Sequence, residues 1–263
     1  MSTPPGPARL PVWCTLVRAE NPGPMTLEGT NTYVLRAPGA GASVVVDPGP
    51  LDPRHLRAVA AAAGPQGVAL VLLTHGHPDH AEGAQLFREM TGAPVAALLA
   101  RLSIGTEPLR DGSSFPGVAG LDLRVLATPG HTSDSVSVLV QGSPDGGPAL
   151  LTGDTVLGRG STVVAHPDGR LGPYLDSLAR IRDLGSLLLL PGHGPVGADA
   201  AASAAAYLAH RRDRLEQVRA ARAAGDRTPQ EVVRRVYADV DEVLWPAAER
   251  SVRAQLEYLD ETR

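Results

Sequence analysis

The stretch THGHPDH, Thr74–His80, follows directly on the apolar run VALVLL of residues 68–73. Three of the chain's eight histidines and one carboxylate therefore fall within six positions, at the end of a segment that reads as a buried strand. Bunched imidazoles repel one another once protonated, so something must compensate them. Working outward, other histidines and carboxylates stand in the same kind of place. His131 follows RVLATPG, Asp154 ends ALLTG, and His193 ends LLLLPG. Four strand ends thus bring His75, His77, Asp79, His80, His131, Asp154 and His193 towards one rim. A rigid sheet holds side chains placed in this way.

Five His and two Asp without Cys suit Zn²⁺ and its neighbours Fe, Mn and Co. Seven ligands are too many for one tetrahedral ion and suit two ions that share a carboxylate. In H-x-H-x-D-H the first two histidines, two positions apart, grip one ion, and the Asp-His pair falls on the second. The bland alternative is a buried hydrogen-bonded network without metal, which would leave many donors unsatisfied in one pocket. As ligands, His55, His166 and His210 count for little. Each stands alone and reads as a surface or satisfied polar residue.

The remaining chemistry is that of an ordinary globular protein, 43% hydrophobic and 20% charged with a formal net charge of −4. That balance argues against binding nucleic acid by bulk charge alone. There is no lysine, so all 24 positive side chains are arginine and any side-chain cation that meets an anion is a guanidinium. The single cysteine, Cys14, excludes an internal disulfide framework and fits a reducing compartment. The start, MSTPPGPARLPVW, lacks the pattern of a secretory signal, and no apolar run approaches bilayer length. A cytoplasmic location with no membrane partner is expected.

Along the chain, residues 1–9 are Pro-rich and expected to be loose. Short β-branched runs then alternate with Gly/Pro turns, and strands are predicted over 30–36, 42–49, 68–75, 93–98, 123–130, 135–140, 148–154 and 186–194. Helical stretches lie around 52–63, 80–91 and 172–184. Strands in a meander first and alternating with helices later imply layered sheets flanked by helices. The texture changes after Gly197. One long helix runs to Gly225, a Thr228/Glu231 capping box opens a second, and a third follows Pro246 with Val252, Leu256 and Leu259 on one face. The expected division is a catalytic domain over 10–197 and a helical domain over 198–263.

The motifs resemble those of the metallo-β-lactamase superfamily: THGHPDH, TPGHTSDS, LTGDTVLGRGSTVV and LPGHGPV occur in the family's order. The resemblance implies a four-layer αββα sandwich with two divalent ions along one edge, zinc being expected and manganese or iron possible in its place. Carried over, His75, His77 and His131 hold the first ion, Asp79, His80 and His193 the second, and Asp154 bridges them. NPGPMTLEGTNTYVL, GDTVLGRGSTVV and YLAHRRDRLEQV further resemble the beta-lactamase-like protein 2 group. That group includes single-strand-specific endoribonucleases, and its C-terminal helices form a winged-helix-like domain. A β wing after the third helix is expected to be missing or minimal. His80, where several lactamases carry Arg, and Asp154, where they often carry Cys, argue against antibiotic hydrolysis.

Two such ions lower the pKa of a shared water and supply a bridging hydroxide, with Asp79 orienting it. The resemblance puts single-stranded RNA first as the substrate. Arg159, Ser161 and Thr162 in the GRGST loop, and His210 and Arg211 on the long helix, are the expected phosphate contacts. Asn31 is a candidate facing the site, or else the cap of a turn. Tyr33, Tyr174 and Tyr207 are the few aromatic platforms for bases in a chain that is only 3% aromatic. The rival is an acyl thioester, and a non-catalytic metal-binding module is the third reading.

Overall fold

The computed structural model describes residues 9–141 and 147–262, so the expected loose segment lies outside the described residues apart from Arg9. Two five-stranded sheets form the centre. The first runs β1 (Cys14–Arg18), β2 (Asn31–Leu35), β3 (Ser43–Val46), β4 (Val68–Leu72) and β5 (Val95–Ala96) in that spatial order. The second runs β10 (Leu188–Pro191), β9 (Ala149–Gly153), β8 (Val136–Gln141), β7 (Leu121–Ala127) and β6 (Ser114–Val118). Both sheets are mixed: β3–β4, β4–β5 and β9–β10 pair in parallel and the other neighbours antiparallel.

The strands carry near-continuous apolar runs because both of their faces are buried. In β3, Val44 and Val46 enter the core between the sheets, while Val45 packs outward on α1 (Pro53–Ala63) and α3 (Ala84–Thr91) with Leu56, Val59 and Phe87. In β8, Val136, Val138 and Val140 face the same central core, and Leu139 faces the opposite helical layer. That layer is α4 (Leu171–Asp183) with the C-terminal helices, joined through Leu178, Ile181, Leu208, Val218 and Val252. The sequence thus folds as a helix–sheet–sheet–helix sandwich. Burial of each large aliphatic side chain in these cores contributes about 1.5–3 kcal/mol.

Two predicted features need correction. β1 and β6 escape the sequence pattern because they are edge strands. β6 is SFPGV, with Pro and Gly inside and an irregular register between Phe115 and Val118, which only an edge tolerates. The helix expected over 80–91 is two helices, α2 (Pro78–Ala81) and α3, parted at Gly83. A Cβ there would lie 2.8 Å from the Pro50 carbonyl oxygen, so the chain bends where it touches that loop.

After β10 the described residues contain helices and no strand. These are α5 (Ala200–Ala223), α6 (Pro229–Val236) and α7 (Trp245–Glu261). Thr228 caps α6, accepting from the Glu231 amide while the Glu231 carboxylate accepts from the Thr228 amide. No helix of the described residues is long and apolar enough to cross a membrane.

Cys14 sits in the core between the sheets, and burial pushes its thiol up to about 12. The native protein is therefore expected not to react with an aromatic disulfide reagent at mildly alkaline pH, and to release one equivalent of chromophore once unfolded. Rapid labelling of the folded chain would contradict this burial.

Candidate metal centre

β4 ends at Leu72, and the five residues 73–77 turn along the rim into the single turn of α2. His77 is the residue before α2, and Asp79 and His80 lie on it. His131 follows β7, Asp154 follows β9 and His193 follows β10. The structure gathers all seven predicted residues into two adjoining groups. His75, His77, His131 and Asp154 have ligand atoms within 4.8 Å of one another, as do Asp79, His80 and His193. The Asp154 carboxylate lies between the groups, with Oδ1 3.4 Å from His80 Nε2 and Oδ2 3.3 Å from His193 Nε2 and 3.7 Å from His131 Nε2.

Local sequence makes this closeness possible. A Cβ at Gly192 would stand 2.5 Å from Asp154 Oδ1 and 2.8 Å from His80 Cε1, so only glycine fits before His193. Asn31, expected to face the site, does not line the pocket beside the cluster. It is 1% exposed and donates to the carbonyls of Pro191 and Gly194, fixing the turn that carries His193.

Four imidazoles are oriented by a protein oxygen at Nδ1. His80 Nδ1–H donates to the Asp47 carboxylate at 2.8 Å, His131 Nδ1–H to the Val163 carbonyl at 2.7 Å and His193 Nδ1–H to the Gly29 carbonyl at 3.3 Å. The Thr74 hydroxyl gives its own hydrogen to Asp47 and so accepts from His75 Nδ1–H at 3.1 Å. Each of these rings then presents the Nε2 lone pair to the cluster. His77 presents Nδ1, which lies 3.1 Å from His75 Nε2 and 3.0 Å from His131 Nε2. Three nitrogens this close, facing one point, match the roughly 3.3 Å spacing of ligands around a tetrahedral zinc.

The electrostatics agree. Burial holds the His75 pKa well below its ordinary value and pushes His131 down to about 4; burial lowers His77 as well, so these three stay neutral. Burial alone would lower His80 and His193 too. Asp154, with Asp47, instead raises His80 well above its ordinary value, and Asp154 with Asp79 raises His193 to about 9. Burial opposes ionisation of Asp79 and Asp154, but His193 and His80 outweigh it, holding Asp79 at about 2 and Asp154 well below the carboxylate range. Asp154 Oδ1 is also buried without a hydrogen-bond partner. Three neutral imidazoles, two more whose proton a bound ion would displace, ionised carboxylates and an orphaned oxygen at their meeting point form a donor set that suits divalent ions.

Sequence reasoning missed Asp47, Thr74 and Thr30. Asp47 binds the amide and hydroxyl of Thr74 as well as His80, and the Thr30 hydroxyl donates to Asp79 Oδ2 at 3.0 Å. Asp47 follows β3 as Asp154 follows β9, yet it falls inside the strand predicted over 42–49, and its partners Thr74 and His80 are distant in sequence.

Beside the cluster lies a pocket of about 300 Å³, reached by His131 and Asp154. Arg159, Ser161, Thr162, His210 and Arg211, the residues expected to meet phosphate, all line it. Arg159 is tied to Glu28 in an ion pair. The expected base platforms fail, because Tyr33 and Tyr174 are 2% and 0% exposed and serve the core. Tyr207 accepts a hydrogen bond from the Leu157 amide.

Residues 25–193 match the family model described as metallo-beta-lactamase superfamily. The chain belongs to this superfamily. Residues 228–262 match the beta-lactamase associated winged helix domain. A beta-lactamase-like protein 2 homolog of Caenorhabditis elegans is 32% identical over 256 residues, covering 93% of this chain and 83% of the relative. An atrochrysone carboxyl ACP thioesterase of Aspergillus fumigatus is 39% identical over 183 residues, covering 67% of this chain and 54% of the relative. Among solved structures, a metallo-beta-lactamase family protein from Thermus thermophilus superposes with a TM-score of 0.78 at 26% identity, covering 95% of this chain and 94% of the other. This metallo-beta-lactamase superfamily chain is thus a hydrolase by family, with a His/Asp cluster fit for divalent metal.

Proposed function

We propose that the chain hydrolyses acyl thioesters with apolar acyl groups, using two divalent ions held by the cluster. His75, His77 and His131 would hold one ion, Asp79, His80 and His193 the other, with Asp154 between them; zinc suits the donors, as manganese or iron would. The observation that carries the substrate class is the pocket. Its wall is mostly apolar, built from Met25, Leu27, Leu157, Val163, Val240 and Leu244, and it opens on His131 and Asp154. A cavity of about 300 Å³ accommodates an acyl chain or a small ring system, and burial of that group positions its carbonyl at the cluster.

Bound divalent ions supply Lewis acidity towards a carbonyl oxygen and acidify water. The chain's own residues do the rest. Asp79 has a side chain 26% exposed and Oδ2 fixed by Thr30, and it offers its other oxygen to orient the attacking water. With its carboxyl held at about 2, it orients water better than it takes a proton. The apolar wall excludes bulk water from the acyl group.

Cleavage of single-stranded RNA, the substrate expected first from sequence, finds less support. Of the residues expected to serve RNA, Arg159 is tied to Glu28, and Tyr33 and Tyr174 are buried in the core and offer bases no stacking face. The thioesterase relative supports the acyl reading by its name alone. The test compares a neutral 4-methylbenzoyl thioester of N-acetylcysteamine with a labelled single-stranded RNA, each given to metal-loaded protein. Thioester turnover with intact RNA is expected. Endonucleolytic products with no thioester turnover would overturn the proposal in favour of the nuclease.

A further inference from the structure

The pocket is not apolar throughout. Arg211 on α5 lines it and is 2% exposed. Its guanidinium lies over the Tyr174 ring, 5.2 Å from the centroid, and donates through Nη2 to the Thr162 carbonyl. Its Nε is buried with no hydrogen-bond partner. One turn on, Arg214 lines the same pocket, donates to the Gln217 side-chain oxygen and the Val236 carbonyl, and lies 4.3 Å from the Tyr237 ring centroid. Every one of these partners is neutral. Among the described residues neither arginine makes an ion pair, whereas nine others, Arg159 and Arg222 among them, pair with a carboxylate. His210 stands between them in sequence and also lines the pocket. The acids nearby do not compensate. Asp154 belongs to the metal cluster, and Asp213 is exposed and lines no part of the pocket.

A buried guanidinium without a counter-charge is costly unless something anionic visits it. We propose that this part of the pocket is an anion subsite, in which Arg211 and Arg214 take a carboxylate carried on the substrate's acyl group. The inference rests on the acyl reading above and deepens it: the substrate becomes an apolar, ring-sized acyl thioester bearing an acid group. A carboxylate fits better than a phosphate, because the planar guanidinium fork matches a carboxylate and these two side chains have already committed several of their donors. Arg211 also joins α5 to the segment that orients the cluster, since the Thr162 hydroxyl donates to the Asp154 carbonyl and Val163 receives His131. The acid group would thus be recognised close to the reacting carbonyl, by a side chain of the C-terminal helices.

The test is titration calorimetry on the metal-loaded full chain with two molecules of one shape, 4-carbamoylbenzoate and neutral terephthalamide. The expected result is at least about tenfold tighter binding of the anion, with the ratio falling to about one in Arg214→Gln and in Arg211→Gln, and partly restored in Arg211→Lys. Equal affinities in the wild-type chain, or no detectable binding of either molecule, overturn the subsite. A preference that survives in both glutamine variants places the carboxylate on the metals and overturns it too. So does tighter binding of 4′-phosphopantetheine that both glutamine variants abolish, which would assign the arginines to the carrier arm. Because this readout needs no turnover, it stands apart from hydrolysis of the 4-methylbenzoyl thioester, whose failure would remove only the hydrolase reading.

Discussion

Asp154→Asn is expected to lower kcat/KM on any substrate of this centre by about 10³-fold or more, and to leave the protein with one firmly held ion in place of two. The two carboxylate oxygens face different partners: Oδ1 lies 3.4 Å from His80 Nε2, and Oδ2 lies 3.3 Å from His193 Nε2 and 3.7 Å from His131 Nε2. A single anion therefore belongs to both groups of donors. Asparagine keeps the shape but removes the charge and turns one oxygen into an N–H donor aimed at positions that need acceptors. Metal ions contribute several kcal/mol of charge stabilisation to the transition state, and each ~1.4 kcal/mol is tenfold in rate, which sets the magnitude. Elemental analysis of the purified variant, read with its kinetics and a thermal melt, separates this effect from misfolding. Two ions and near-normal turnover would show that Asp154 does not link the groups.

The seven cluster residues were legible in sequence because each stands at or just after the end of an apolar strand, where the pattern changes abruptly from buried to polar. The sandwich was legible for a related reason: strands buried on both faces, such as β3 and β9, read as unbroken apolar runs. What stayed hidden depends on pairs distant along the chain. Asn31 lies 163 residues from Gly194, and no local pattern reveals that its amide fixes the His193 turn. Tyr174 reads as an exposed aromatic in a polar helix, yet it is fully buried, donating to the Thr155 carbonyl under α5. Arg211 is a mixed case. The sequence offers it as a substrate contact on the long helix, but only the packing of α5 over the pocket shows that Arg211 is buried there while Arg212 turns out.

Asp47 is the missed residue whose replacement carries the second large effect. It is 2% exposed and adopts a φ of 51°, a left-handed conformation that Asp and Asn accept more readily than other side chains. Its oxygens accept from the Thr74 amide at 2.7 Å, the Thr74 hydroxyl at 2.6 Å and His80 Nδ1–H at 2.8 Å. Asp47→Ala strands all three donors in a buried site and strains the backbone, so a loss of about 3–5 kcal/mol in unfolding free energy is expected. Asp47→Asn is the more informative change. Its carbonyl oxygen can still take the Thr74 amide, but its NH₂ then faces His80 Nδ1, which must become an acceptor. The proton of His80 moves to Nε2, where it points at Asp154 and His193 and occupies the lone pair meant for an ion. The expected outcome is a folded protein whose metal affinity, measured by competition with a chelator, falls about 10–100-fold. A variant that melts as the wild type does and also binds metal with wild-type affinity would show that the cluster orients His80 without help from Asp47.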